Sequence, residues 1–63
     1  MTTNKKSIER VFDLIELGKK RKEAGADWKE VKEELERYHD LRYVTSYTTK
    51  NDDINKVMTR LFN

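Results

Sequence analysis

Apolar residues recur at intervals of three and four along three stretches of this chain, and this spacing restricts what the chain can fold into. The spacing predicts amphipathic α-helices, because 3.6 residues complete a helical turn and such residues share one face. The first stretch carries the apolar stripe Ile8, Val11, Phe12 and Ile15. We therefore expect helices that bury their apolar faces against one another.

The chain has 63 residues and no cysteine, which limits how the fold can be stabilised. A core of this size contributes roughly 3–5 kcal/mol, and no disulfide or thiolate metal site can reinforce it. Helix packing, or burial against a second copy or a partner, must supply the stability. We expect one domain over residues 1–63, with residues 1–6 forming a flexible tail.

The first helix is expected over about 7–24. Ser7 is a candidate N-cap, because its hydroxyl can accept a hydrogen bond from a free first-turn amide. If the helix starts earlier, Thr3 or Asn4 takes this role. Gly25 is predicted to close the helix at the C′ position, where glycine tolerates a positive φ. Leu14 and Leu17 fall off the main apolar stripe, and either widen the apolar face or leave a small exposed patch.

The second helix is expected over about 28–40. Asp27 is predicted as its N-cap, with Glu30 completing a capping box. Its apolar face contains Trp28, Val31, Leu35 and Tyr38. Trp28 is expected to anchor the core at the helix corner.

A connector and a third helix complete the predicted fold, which is an all-α three-helix domain. The segment at about 42–50 alternates β-branched and aromatic residues, which favours an extended connector. Two alternatives stay open, a strand that pairs with another chain and a continuation of helix two. Asn51, Asp52 and Asp53 are predicted to cap the third helix, at about 52–62. Its stripe is Ile54, Val57, Met58, Leu61 and Phe62.

Few residues are suited to catalysis, so we expect a protein that is not an enzyme and that has no cofactor. A nucleophile needs a base and an orienting group, and the chain offers one histidine, two serines and no cysteine. The Glu36–His39 spacing resembles half of a di-iron motif, but chance on a helix surface explains it better. The sequence predicts no metal site, no membrane span and no signal peptide, so a cytoplasmic location is expected.

A short part of the chain resembles the widespread bacterial helix-turn-helix pattern. The resemblance covers Asp27 to Leu35, through the aromatic start and Val31. It then departs from the pattern, because Lys32 stands where that family has a small residue and Glu36 where it has the turn glycine. A turn at Gly25 instead would place Lys20 and Arg21 in a tight helix contact, which is costly for charged side chains.

Aromatic and basic residues indicate binding rather than chemistry. Tyrosine and arginine supply much of the energy of protein interfaces, which predicts a partner-binding surface at Tyr38, Arg42, Tyr43 and Tyr47, with Leu14 and Leu17 as a second candidate. We therefore expect a small accessory protein, inhibitor or regulator that binds a protein partner and is similar in size to small phage proteins. Self-association is a further option. The alternative is a nucleic-acid-binding regulator with a degenerate helix-turn-helix, using Lys19, Lys20, Arg21, Lys22, Arg37 and Arg42.

Overall fold

Three helices make up the fold, as the sequence predicts. The computed structural model of the chain describes residues 6–62, and in this part of the chain it is all-α. Helix α1 is Ser7–Glu23, α2 is Trp28–Arg42 and α3 is Tyr47–Phe62. None of these described helices is both long and apolar enough to cross a membrane. Of the predicted flexible tail, only Lys6 lies within the described residues.

The corner between α1 and α2 confirms the predicted turn. Gly25 has a φ of 101°, and its amide donates to the carbonyl of Lys22 while the amide of Ala26 donates to that of Arg21. These two bonds form a Schellman motif, which satisfies carbonyls at the end of α1. Asp27 caps α2, since its carboxylate accepts from the amide of Glu30 at 2.9 Å and Glu30 in return accepts from the amide of Asp27.

The start of α1 differs from the prediction. Lys6 is the N-cap residue, and its amide donates to the carboxylate of Glu9 at 3.3 Å. Ser7 is therefore the first helical residue rather than the cap. Its hydroxyl donates to the carboxylate of Asp53 on α3, with 3.4 Å between the oxygens.

Helix α3 begins five residues earlier than the predicted start at about 52. Ser46 takes the capping position, because its hydroxyl accepts from the amide of Thr49 at 3.2 Å. The prediction that Asn51–Asp53 caps this helix is wrong, because all three residues lie inside it. The extended connector shortens to residues 43–46, and within the described residues there is no strand.

The core uses a different face of α1 from the one the stripe predicts. Seven fully or almost fully buried apolar side chains fill the centre, namely Leu14, Val31, Leu35, Ile54, Val57, Met58 and Leu61. On α1 the buried positions are Arg10, Leu14 and Gly18, whereas Ile8 and Phe12 are 63% and 60% exposed. The predicted α1 core stripe is therefore turned largely to the surface.

Trp28 is not the core anchor that the sequence predicts. Its side chain is 50% exposed, and the ammonium of Lys32 lies 5.3 Å from its ring centroid. This cation–π contact on the surface of α2 replaces burial. The remaining members of the predicted α2 face follow the prediction, since Val31 and Leu35 are fully buried and Tyr38 is half-buried.

Helices α1 and α3 run in the same direction and in a fixed register. Arg10 pairs with Asp53, and Gly18 approaches the side chain of Leu61, so both contacts join residues that are 43 positions apart. Glycine permits this close contact because a β-carbon at position 18 would collide with Leu61. A residue of α1 is therefore level with the residue of α3 that lies 43 positions later.

The two leucines Leu14 and Leu41 provide a matched test of this packing. Leu14 is 0% exposed and Leu41 is 71% exposed, although both lie on helices. We expect Leu14→Ala to lower the free energy of unfolding by about 2–5 kcal/mol, because it leaves a cavity in the core. Leu41→Ala should change it by less than about 0.5 kcal/mol. Urea titrations measure both, and equal effects would contradict this placement of α1.

Candidate functional site

A buried carboxylate joins all three helices near one end of the core. Asp53 on α3 is 1% exposed, and its Oδ2 accepts from Nε of Arg10 on α1 at 2.6 Å. The same oxygen lies 2.9 Å from Nε2 of His39 on α2, which is also 1% exposed. We call Arg10, His39 and Asp53 the buried cluster. Its geometry fixes the relative position of the three helices.

The electrostatics of the buried cluster favour an ionised Asp53. Burial alone raises the pKa of this carboxyl, but the hydrogen bonds and charge of Arg10 and His39 outweigh burial and lower the pKa below its usual value. An ionised carboxylate can only accept hydrogen bonds. Nε2 of His39 therefore carries the proton in the His39–Asp53 bond.

Tyr43 extends the polar contacts from α2 back to α1. It follows α2 as the C-cap residue, is 5% exposed, and its hydroxyl donates to Asp13 Oδ2 at 2.8 Å. The edge of its ring packs against His39, with 5.0 Å between the ring centroids. Burial, together with the bond to Asp13, raises the pKa of Tyr43 well above its usual range. The phenol thus stays protonated and acts as a donor.

The fold brings a serine, a histidine and an aspartate together, but not in the order that nucleophilic catalysis requires. A serine hydrolase places histidine between the nucleophile and the carboxylate. Here Asp53 is in the middle, because Ser7 and His39 both contact its carboxylate. His39 is also shielded from solvent and faces Asp53 rather than a serine. The arrangement supports helix packing and supplies no activated nucleophile.

The predicted aromatic surface is only partly exposed. Tyr43 is buried, so it is removed from any contact surface of the folded chain, and its ring packs against Tyr38 at a centroid distance of 6.2 Å. Arg42 lies over the half-buried Tyr38 ring, with 5.2 Å from the guanidinium carbon to the ring centroid. Tyr47 is 73% exposed and lies beside the ammonium of Lys50.

The second predicted surface, at Leu14 and Leu17, belongs to the interior. Leu14 is fully buried in the core and Leu17 is half-buried against it. The sequence places both leucines off the apolar stripe of α1, and the structure shows that this side of α1 is the one that packs. The apolar surface of α1 that faces solvent is instead around Ile8 and Phe12.

The basic residues proposed for nucleic-acid binding do not form one patch. Lys19 and Lys22 line a depression of about 510 Å³ together with Arg60. Arg21 instead pairs with Glu34 on α2. Arg42 is eight residues beyond Glu34, about 12 Å farther along the helix axis. Lys20 and Arg37 are exposed on α1 and α2.

Helix α2 continues without a break where the helix-turn-helix resemblance over Asp27 to Leu35 would need a turn. The helix passes through Glu36 without a break and ends only at Arg42. The placement of the motif over Asp27 to Leu35 is therefore wrong, because no turn follows Leu35. The alternative placement of the motif has its turn at Gly25, where the structure does have a turn. It would require Arg21 in a tight helix contact, but Arg21 is half-exposed in a surface ion pair.

The corner between α2 and α3 carries an apolar surface that the sequence analysis missed apart from Tyr47. Leu41, Val44 and Tyr47 are 71%, 64% and 73% exposed, and we call them the corner surface. Val44 and Tyr47 line one depression, across which the ammonium of Lys50 pairs with Asp40 at 3.2 Å. The only sequence signal was the apolar and aromatic character of the connector.

Comparison with known protein families, with curated proteins and with solved structures finds no match to this chain.

The adjacent residues Asp52 and Asp53 provide a matched test of the buried cluster. Asp53→Asn removes a buried negative charge that faces Arg10 and His39, which we expect to cost about 3–5 kcal/mol of unfolding free energy. Asp52 forms an exposed pair with Lys56 at 3.2 Å, so Asp52→Asn should cost less than about 1 kcal/mol. Thermal and urea unfolding at neutral pH measure both, and equal losses would contradict a structural role for the cluster.

The pH dependence of the same two variants provides a second readout. Folding lowers the pKa of Asp53, so the ionised carboxylate stabilises the folded state. This stabilisation is fully present above the unfolded-state pKa of about 3.9, and it is lost as the pH falls through the lower folded-state pKa. The stability difference between the wild-type chain and Asp53→Asn should therefore shrink as the pH falls below about 4. A difference that is constant from pH 7 to pH 3 would contradict this assignment.

Proposed function

We propose that this chain is a small non-enzymatic protein that acts by binding another protein, as an accessory, inhibitor or regulator. The observation that carries the proposal is the corner surface, where Leu41, Val44 and Tyr47 are each more than 60% exposed. Val44 and Tyr47 line the same depression, and Leu41 lies three residues before Val44 in the chain. Apolar side chains exposed together are typical of interaction sites. Tyrosine also contributes strongly to interfaces, because it buries a large ring at low entropic cost.

Three features support the corner surface as the contact. The connector is short, and Ser46 caps the following helix, so the backbone that presents these side chains is anchored at both ends. Tyr43, the first residue of the connector, donates its hydroxyl to Asp13 on α1. Arg42 lies next to the surface in sequence and is exposed. A preorganised surface loses less conformational entropy when a partner binds.

Nucleic-acid binding is the second candidate, and one observation favours it. Lys19, Lys22 and Arg60 line a single depression at the far ends of α1 and α3, together with Glu23 and Leu61. These cations also have a structural explanation, because Lys22 donates to the carbonyl of Leu61 and lies 4.9 Å from the ring centroid of Phe62. Cations at helix C-termini complement the helix dipole. Protein binding therefore stays the first proposal.

Site-specific crosslinking tests the proposed function. A photoreactive phenylalanine analogue in place of Tyr47 should form a discrete protein adduct in cells that naturally produce the chain. The same analogue in place of the exposed Glu33, on the polar face of α2, serves as the control. Val44→Asp should abolish the adduct without lowering the melting temperature, because Val44 is 64% exposed.

Two results would contradict the proposal. The first is an adduct that forms equally well from positions 33 and 47. The second is submicromolar binding to duplex or single-stranded nucleic acid that weakens steeply with salt. If Lys19, Lys22 and Arg60 carry that binding, the logarithm of the affinity should fall against the logarithm of the salt concentration with a slope of about −2.7 on duplex DNA.

A further inference from the structure

Helix α1 presents an apolar stripe that the fold covers only in part, since Val11 and Ile15 pack against the core whereas Ile8 and Phe12 remain largely exposed. Ile8 and Phe12 are 63% and 60% exposed, and the half-buried Val11 and Ile15 lie beside them. These four residues, the α1 stripe, line a shallow groove whose other wall is Lys56 and Arg60 of α3. The groove is distinct from the corner surface, because the corner surface involves the end of α2 and the start of α3.

The two edges of the α1 stripe carry opposite charges. On the α3 side, Lys56 and Arg60 border the groove. The other edge of the stripe carries the exposed residues Glu9 and Glu16. Successive residues of a helix are rotated by 100°, which places these two about 80–100° around the helix from Ile8. Lys56 is already paired with Asp52 on its own helix. Arg60 and Glu16 therefore define the two edges most clearly.

Arg60 and Glu16 lie at almost the same height along the molecule. Because residues of α1 are level with residues 43 positions later on α3, Arg60 is level with Leu17. Glu16 is one residue from Leu17, which is about 1.5 Å along the helix axis. The cationic edge and the acidic edge are thus matched in height as well as opposite in charge.

We propose that a second copy of this chain covers the α1 stripe, with the two α1 helices packed side by side and parallel. A two-fold axis parallel to the helices places the cationic edge of each copy against the acidic edge of the other. Arg60 then faces Glu16 of the partner subunit on both sides of the interface. An antiparallel pair would place like charges against each other, which opposes association. The interface is isologous, as closed dimers require.

The spacing of the stripe fits this parallel arrangement. Ile8 and Ile15 are seven residues apart and Val11 lies between them, which is the a and d pattern of a short coiled coil. Phe12 flanks this seam and enlarges the apolar contact. The stripe ends before the exposed Lys19, so the contact from Ile8 to Ile15 spans just over one heptad.

Sedimentation equilibrium over a concentration series tests the proposal. We expect a species of twice the 7.6 kDa chain mass. Phe12→Asp should raise the dissociation constant of the dimer by roughly 30-fold or more, because it removes a large aromatic ring from the apolar contact and puts a charge in its place. Tyr47→Asp, on the corner surface, is the control and should leave the dissociation constant unchanged. The melting temperature of each monomeric form confirms that it remains folded.

Charge reversal tests the parallel arrangement separately. Arg60→Glu and Glu16→Arg should each weaken the dimer several-fold, and the double variant should restore it, because the cross-subunit pair is rebuilt with the signs exchanged. A single variant Arg60→Glu that strengthens the dimer would show an antiparallel pair and overturn the proposal. A chain that stays monomeric throughout the series would overturn it as well, as would a dimer disrupted by Tyr47→Asp but not by Phe12→Asp.

Discussion

The carboxylate of Asp53 sets the arrangement of the whole molecule. It is a charge held in the interior of a chain of only 63 residues, and its carboxylate contacts side chains of both other helices, Arg10 and Ser7 on α1 and His39 on α2. A buried charge of this kind is tolerated only when its partners are in place. The cost of leaving it unpaired therefore disfavours alternative helix packings. In this way a polar contact selects one geometry, while the seven apolar core residues supply the favourable free energy of burial.

The rotation of α1 follows from this constraint. Arg10 can reach Asp53 only if its side of the helix faces α3, and Gly18 on the same side then allows the close contact with Leu61. Turning the helix to bury Ile8 and Phe12 instead would break the buried cluster and expose Leu14. The surface that results combines a partly covered α1 stripe, with Ile8 and Phe12 exposed, and the corner surface. Two separate apolar surfaces on a domain this small are consistent with a protein that acts through contacts.

Much of the fold could be predicted from the sequence, because it depends on local signals. The helix corner at Gly25, the capping by Asp27 and Glu30, and the apolar face of α3 are all read from residues close together in the chain. The start of α3 was missed because Asn51 to Asp53 resemble a cap, whereas Ser46 performs that function.

The buried cluster could not be predicted in the same way. Its members come from three helices, and Arg10 and Asp53 are 43 residues apart in sequence. No local pattern identifies Asp53 as an interior residue. The error in the face of α1 has the same origin, because the stripe of Ile8 to Ile15 is more apolar than the face that contains Arg10 and Gly18. A polar contact between distant residues determined which face is buried, and periodicity contains no information about that contact.

The most direct test of this account is a nuclear Overhauser spectrum of the protein in solution. With Leu14 in the core cluster beside Leu35 and Val57, the methyl groups of Leu14 should give cross-peaks to those residues, and the ring of His39 should give cross-peaks to the side chain of Arg10. Cross-peaks from the ring of Phe12 to Leu35 and Val57, with none from Leu14, would show that α1 packs on its stripe and would contradict the account.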